Sequence, residues 1–129
     1  MSDQLSIMCV SGLHERIQMA AMTAATASVG GTQVSVFLSM NALPYFIKGR
    51  DAKPDREGEM GELMAKKNVP AFKQLFEQAK ELGGATVYAC SMAMDLLEVS
   101  EADLEESLDG PLGLTRFLSD AGDGQILVF

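Results

Sequence analysis

Two thiols and one imidazole are the most reactive side chains in this sequence: Cys9, Cys90 and His14. Cys90 is the sharpest candidate for chemistry. The run A-T-V-Y-A before it reads as a strand, and S-M-A-M-D-L-L after it reads as a short helix. The thiol therefore stands at a strand-to-helix junction. Backbone N–H groups of a following turn favour an anion, and the thiolate is the form that attacks sulfur or carbonyl electrophiles. Its neighbours Ala89 and Ser91 are small and leave access. The competing reading is a buried, inert thiol. Cys9 ends an apolar run and reads as a core thiol. Its alternative role is a second thiol beside Cys90, which requires their strands to be neighbours and both side chains to share one face. His14 opens the first helix, where an imidazole can hydrogen-bond a thiolate or shuttle a proton, although a lone surface histidine is more often incidental.

These residues need elements to position them. Leu5 to Val10, L-S-I-M-C-V, has the nearly continuous apolar character of a strand covered on both faces. A helix follows from Leu13 to about Ser28, with Leu13, Ile17, Ala20, Ala21, Ala24 and Ala25 on one stripe and Gly30-Gly31 at its end. Gln33 to Leu38 is a second strand. Ser39 to Ile47 is a loop with one or two helical turns. From Lys48 to Asn68 the chain turns glycine-rich and densely charged; its first half reads as mobile and its second half as a short helix presenting Met60, Leu63 and Met64. Pro70 to Leu82 is an amphipathic helix with Phe72, Leu75, Phe76, Ala79 and Leu82 inward. Ala85 to Ala89 is the third strand. Ser100 with Asp103 forms a capping box. Pro111 starts the last helix, with Leu112, Leu114, Phe117 and Leu118 inward, and Gln125 to Phe129 is a terminal strand. Strands joined by helices run parallel with right-handed crossovers. The expectation is one α/β domain over residues 1–129: a flavodoxin-like three-layer sandwich with a mostly parallel sheet of four or five strands.

In such sheets ligands sit beyond the C-terminal strand ends. Ser11, Gly12 and His14 follow the first strand, Ser39 and Asn41 the second, and Cys90, Ser91 and Met92 the third. Ser11, Gly12, Ser39, Asn41, Ser91 and Met92 are thus the candidate ligand-binding residues, and the amides at Ser11-Gly12 could cradle an anion. The acids Glu98, Glu101, Asp103, Glu105, Glu106 and Asp109 read as a solvated face, with general acid/base work by paired carboxylates or docking of a basic partner as the alternatives.

Composition narrows the function. The 129 residues carry 10 basic and 18 acidic side chains, a formal charge of −8, which leaves no electrostatic footprint for nucleic acid or an anionic membrane surface. No apolar stretch is long enough to span a bilayer, and Met1-Ser2-Asp3-Gln4 does not begin like a secretion signal. A cytoplasmic location is expected. One histidine and two distant cysteines show no metal-ligand spacing, so no metal is expected, and the single glycine of Ser11-Gly12 falls short of a dinucleotide fingerprint or a P-loop, so no cofactor is expected either. The nine methionines read as core or subunit contact rather than as metal ligands.

The stretch from Ser11 to Leu43 (S-G-L-H-E-R-I-Q-M-A-A-M onward), with V-P-A-F-K-Q-L-F-E-Q-A-K-E-L-G-G-A-T-V-Y-A-C-S-M-A-M-D-L-L from Val69 to Leu97, resembles the DsrE/DsrF-like sulfur-relay proteins. The likeness is nearest the DsrE-like, peroxiredoxin-like branch. Its most specific element is C-x-M-x-M-D at Cys90, Met92, Met94 and Asp95. The resemblance implies a flavodoxin-like fold, a homotrimer or hexamer, and sulfur carried as a persulfide on Cys90. That sulfur would pass from a sulfurtransferase donor to a thiol acceptor protein, in sulfur oxidation or tRNA thiolation. Some members have a second cysteine near the position of Cys9. His14 departs from the small or acidic residue expected after S-G. The alternatives are a small-ligand-binding flavodoxin-like module and a non-catalytic subunit of a sulfur-relay assembly.

Overall fold

Five short runs of apolar residues form one parallel sheet. In this computed structural model, which describes residues 3–50 and 52–129, they are β1 (Gln4–Cys9), β2 (Gln33–Leu38), β3 (Thr86–Cys90), β4 (Pro111–Leu112) and β5 (Gln125–Val128). Met1, Ser2 and Asp51, which enter the readings of the N-terminus and the charged segment, lie outside the described residues. The strand order is β4-β3-β2-β1-β5, with every neighbouring pair parallel. Five α-helices are described: α1 (His14–Val29), α2 (Glu59–Lys66), α3 (Phe72–Gly83), α4 (Ser91–Leu97) and α5 (Leu114–Ala121).

The chain steps one way across the sheet from β1 to β4, then returns to the far side of β1 for β5. Right-handed crossovers therefore place α1 and α3 on one face and α5 on the other. The residue rows agree. Ile7, Val36 and Val87 are in register and buried in the row that faces α1 and α3. The next row, Met8, Phe37 and Tyr88, faces the other way, and Phe37 stacks on Phe117 of α5 with ring centroids 4.8 Å apart.

The small residues of α1 let it lie close to its neighbours: Ile17, Ala20, Ala21, Ala24 and Ala25 are all buried. Its C-terminal turn nearly touches α3. A Cβ on Gly83 would fall 2.4 Å from the Cβ of Ser28, so only glycine permits this crossing. Gly83 is thus the residue of the last turn of α3 that meets α1. Leu82 is turned outward and is 71% exposed, contrary to its expected inward position.

The last helix also differs from expectation. Pro111 and Leu112 do not begin it; they form β4, in register with Ala89 and Cys90 of β3. Proline is tolerated there because the strand lies at the sheet edge, where its missing N–H is not required. Asp109 extends the pairing, since its carboxylate accepts the Val87 N–H at 2.6 Å and the Lys80 ammonium. The helix starts after Gly113, with Phe117 buried but Leu114 and Leu118 nearly half exposed.

The charged segment is tied down. The Glu15 carboxylate accepts N–H groups of Glu57 at 2.8 Å, Gly58 at 2.7 Å and Gly61 at 3.1 Å, which caps the start of α2. Arg16 pairs with Glu57 at 2.8 Å, and the His14 N–H donates to the Asp55 carbonyl at 2.8 Å. The first half of the segment, expected to be mobile, is thus bonded to α1 at three residues. The Ser39–Ile47 connection forms 3-10 turns over Met40–Phe46, and the Asp103 carboxylate accepts from both the N–H and the hydroxyl of Ser100.

Candidate functional site

The C-terminal edge of the sheet holds two separate recesses, one on each face, and the candidate residues divide between them. Cys90 is the last residue of β3 and immediately precedes α4. It is 5% exposed and lines a cavity of about 160 Å³. Met8 and Phe37 form the inner wall, Ser39 and Ser91 contribute hydroxyls, and Met40, Met92 and Leu114, each about half exposed, surround the opening. No charged side chain among the described residues lines this cavity. The thiol therefore sits in a predominantly apolar recess whose opening is framed by long flexible side chains.

Ser11, Gly12 and Asn41 lie instead around a wider cleft of about 410 Å³, together with Tyr45, Lys53 and Asp55. The Tyr45 hydroxyl donates to the Gly12 carbonyl at 2.7 Å, and its ring packs edge-on against Phe72 of α3. Burial, with the charge of Asp55, pushes the Tyr45 phenol above its ordinary range. A Cβ on Gly12 would come within 2.6 Å of the Asn41 carbonyl oxygen, so the two loops approach because that residue is glycine. Of the two amides of the expected cradle, that of Ser11 is already bonded within the protein, as are the next two along the chain. The Ser11 N–H bonds to the Phe129 carbonyl, the Leu13 N–H to the Ser11 hydroxyl and the His14 N–H to the Asp55 carbonyl. His14 lines neither recess, and its ring lies edge-on to Phe72 at 6.2 Å.

Cys9 is fully buried, and burial pushes its thiol up to about 12. It is not adjacent to Cys90. β2 stands between β1 and β3, with Leu38 in register with both Cys9 and Ala89. Cys9 and Ala89 thus share the face covered by α1 and α3, and Cys90, the next residue, points to the opposite face. The neighbouring strands that an internal sulfur pair required are not present. Both cysteines are free thiols.

Met8, Met40, Phe37 and Leu114 were not among the site residues read from the sequence. Alternation along β1 carried a signal for Met8, because it must face opposite to Cys9. Using that signal required the strand order. Elsewhere, four amides hold the Glu15 carboxyl at about 2, the Glu57 N–H foremost, then its own and those of Gly58 and Gly61, and the N–H and hydroxyl of Ser100 lower that of Asp103. Among the described residues no cluster of three or more His, Cys, Asp or Glu side chains forms a metal site, and no helix is long and apolar enough to cross a membrane.

Comparison with known proteins agrees with this architecture. The YchN protein of E. coli superposes with a TM-score of 0.70 over 100% of both chains at 13% identity. MTH1491 of Methanobacterium thermoautotrophicum, a protein of unknown function, superposes with a TM-score of 0.63 over 98% of both chains at 11% identity. These likenesses concern the fold. In sequence, the uncharacterized protein YrkE of Bacillus subtilis (strain 168) is 40% identical over 67 residues, which span 52% of this chain and 41% of that protein's length. The model of the DsrE/DsrF/DrsH-like family matches residues 56–129, a stretch that contains α3, β3 and Cys90 and leaves out Cys9 and His14. With more than half of its length matched, and with the parallel sheet that presents Cys90 at its C-terminal edge, the chain belongs to the DsrE/DsrF/DrsH-like family.

Proposed function

We propose that this protein is a sulfur carrier in which Cys90 holds sulfane sulfur as a persulfide and relays it to a partner protein. The observation that carries the reading is the placement of Cys90 in an apolar recess at the sheet edge, in contrast to the deeply buried Cys9. In the loading step the Cys90 thiolate attacks the outer sulfur of a donor hydropersulfide. A new S–S bond forms, the donor's S–S bond breaks, and the donor leaves as a thiolate. The new persulfide keeps the outer proton, and delivery to an acceptor thiolate repeats the same exchange. The apolar walls around Cys90 limit entry of hydrated small reductants, and Met40, Met92 and Leu114 at the opening offer apolar contact to a donor or acceptor protein.

The exchange suits a reducing cytoplasm, where a persulfide donor and a thiol acceptor are both maintained. The reading includes self-association as a trimer or hexamer, supported by exposed Met19, Met22 and Val29 on α1 and Leu96 on α4. Incubation with polysulfide or a persulfidated sulfurtransferase should add the mass of one or more sulfur atoms to wild type and to Cys9→Ser, and none to Cys90→Ser. Retention of the added mass in Cys90→Ser refutes the assignment. A second reading, a small-ligand-binding module, is favoured by the wider cleft, where Lys53, Asp55, Asn41 and Tyr45 offer charge and hydrogen bonds. It predicts a small molecule that co-purifies with Cys90→Ser in native mass spectrometry.

A further inference from the structure

We propose that the Cys90 recess is also a binding site for a soft monovalent metal ion, copper(I), held by the Cys90 thiolate and methionine thioethers. This goes beyond sulfur relay and does not rest on it. Four sulfur-bearing side chains from three separate stretches of chain line one cavity of about 160 Å³: Met8 from β1, Met40 after β2, and Cys90 with Met92 at the β3–α4 junction. Three of the chain's nine methionines therefore line the same cavity as Cys90.

The donor set selects the ion. Thiolate and thioether ligands select soft ions such as copper(I), with zinc(II) the competitor for the thiolate, whereas carboxylates, carbonyls and water suit magnesium, calcium and manganese. Among the described residues the recess is lined by no carboxylate or imidazole, and the side-chain oxygens in its lining are the hydroxyls of Ser39 and Ser91. Charge favours the same ion. Binding copper(I) replaces the Cys90 thiol proton, which leaves to solvent, and the resulting thiolate–copper(I) unit is neutral. A divalent ion on the same ligand would leave net positive charge in an apolar recess, which is costly. Met40 and Met92 are about half exposed on flexible side chains, so they can take up an ion at the opening, and Met8 lines the same cavity from β1.

The test is an anaerobic copper(I) titration of the full chain against a competing chromogenic chelator, with the thiolate-to-copper(I) charge-transfer band read in the ultraviolet. Wild type and Cys9→Ser should each retain one equivalent and show the band. Cys90→Ser should lose both. The double variant Met40→Leu with Met92→Leu changes two surface side chains of similar volume. It should keep the fold and the charge-transfer band but weaken retention about tenfold or more. Undiminished retention in the double variant reduces the site to a bare thiol and overturns the proposal. So does copper(I) retained by Cys90→Ser, or zinc(II) held by wild type as tightly as copper(I).

Discussion

With Cys90 replaced by serine, the native protein should be almost inert to iodoacetamide, because Cys9 keeps its proton. Burial pushes that thiol up to about 12, and the residue is fully buried in the row beneath α1 and α3. A thiol titrating near 12 is ionised to about one part in ten thousand at pH 8, whereas an ordinary thiol near 8.5 is ionised to roughly one part in four. Alkylation proceeds through the thiolate, so proton retention alone slows Cys9 by roughly three orders of magnitude relative to a free cysteine. Lack of access slows it further. The assay is time-resolved intact-protein mass spectrometry of Cys90→Ser at pH 8, with and without denaturant. Labelling should be negligible in native buffer over the time in which free cysteine reacts to completion, and should become quantitative in denaturant. Native labelling of Cys9 within tenfold of the free amino acid would refute the account of a proton held by burial, and would restore Cys9 as a candidate second thiol.

The same proton has a thermodynamic signature. Between pH 9 and about 12 the folded chain holds a proton that the unfolded chain has lost, so the stability present below pH 9 falls as pH rises. By about pH 10.5 the loss amounts to about 2 kcal/mol. Urea unfolding of wild type and Cys9→Ala at pH 8.5 and 10.5 should show that difference, and parallel pH dependences would contradict it. Glu15 acts at the other end of the scale. Its carboxyl, held at about 2 by the Glu57 amide, its own and those of Gly58 and Gly61, stabilises the fold above about 4.5 and loses that contribution as pH falls toward 2. Glu15→Gln should therefore speed hydrogen exchange at the amides of Glu57, Gly58 and Gly61 at neutral pH, as read by NMR, and unchanged protection would count against the clamp. Phe117→Ala removes the ring stacked on Phe37 and should cost about 3–5 kcal/mol in chemical denaturation. A loss below about 1 kcal/mol would mean that α5 is not essential to that face of the sheet.

Local patterns made the strands and helices that carry Cys90 legible. The run Q-V-S-V-F-L is β2, and S-M-A-M-D-L-L is α4. β4 was not legible, because two residues have no periodicity and Pro111 carries a helix-start signal that its edge pairing with Ala89 overrides. Leu82 sits on the amphipathic stripe of α3, yet the crossing at Gly83 and Ser28 sets which side of the last turn is covered. The recess around Cys90 was half visible. Ser91 and Met92 adjoin the thiol in sequence and Ser39 ends a neighbouring strand, but Met8 joins them only through strand order and facing, which are non-local. The same non-local facts separate Ser11, Gly12 and Asn41 from Cys90.

The sheet stands between the two thiols, and oxidative chemistry inherits that separation. A sulfenic acid formed on Cys90 is out of reach of Cys9, which lies two strands away beneath the opposite layer of helices. Cys9 therefore cannot resolve it, and a disulfide that protects this sulfur would draw its second thiol from elsewhere, such as a glutathione-like thiol or a second copy of the chain. Repair would then depend on what meets this edge of the sheet.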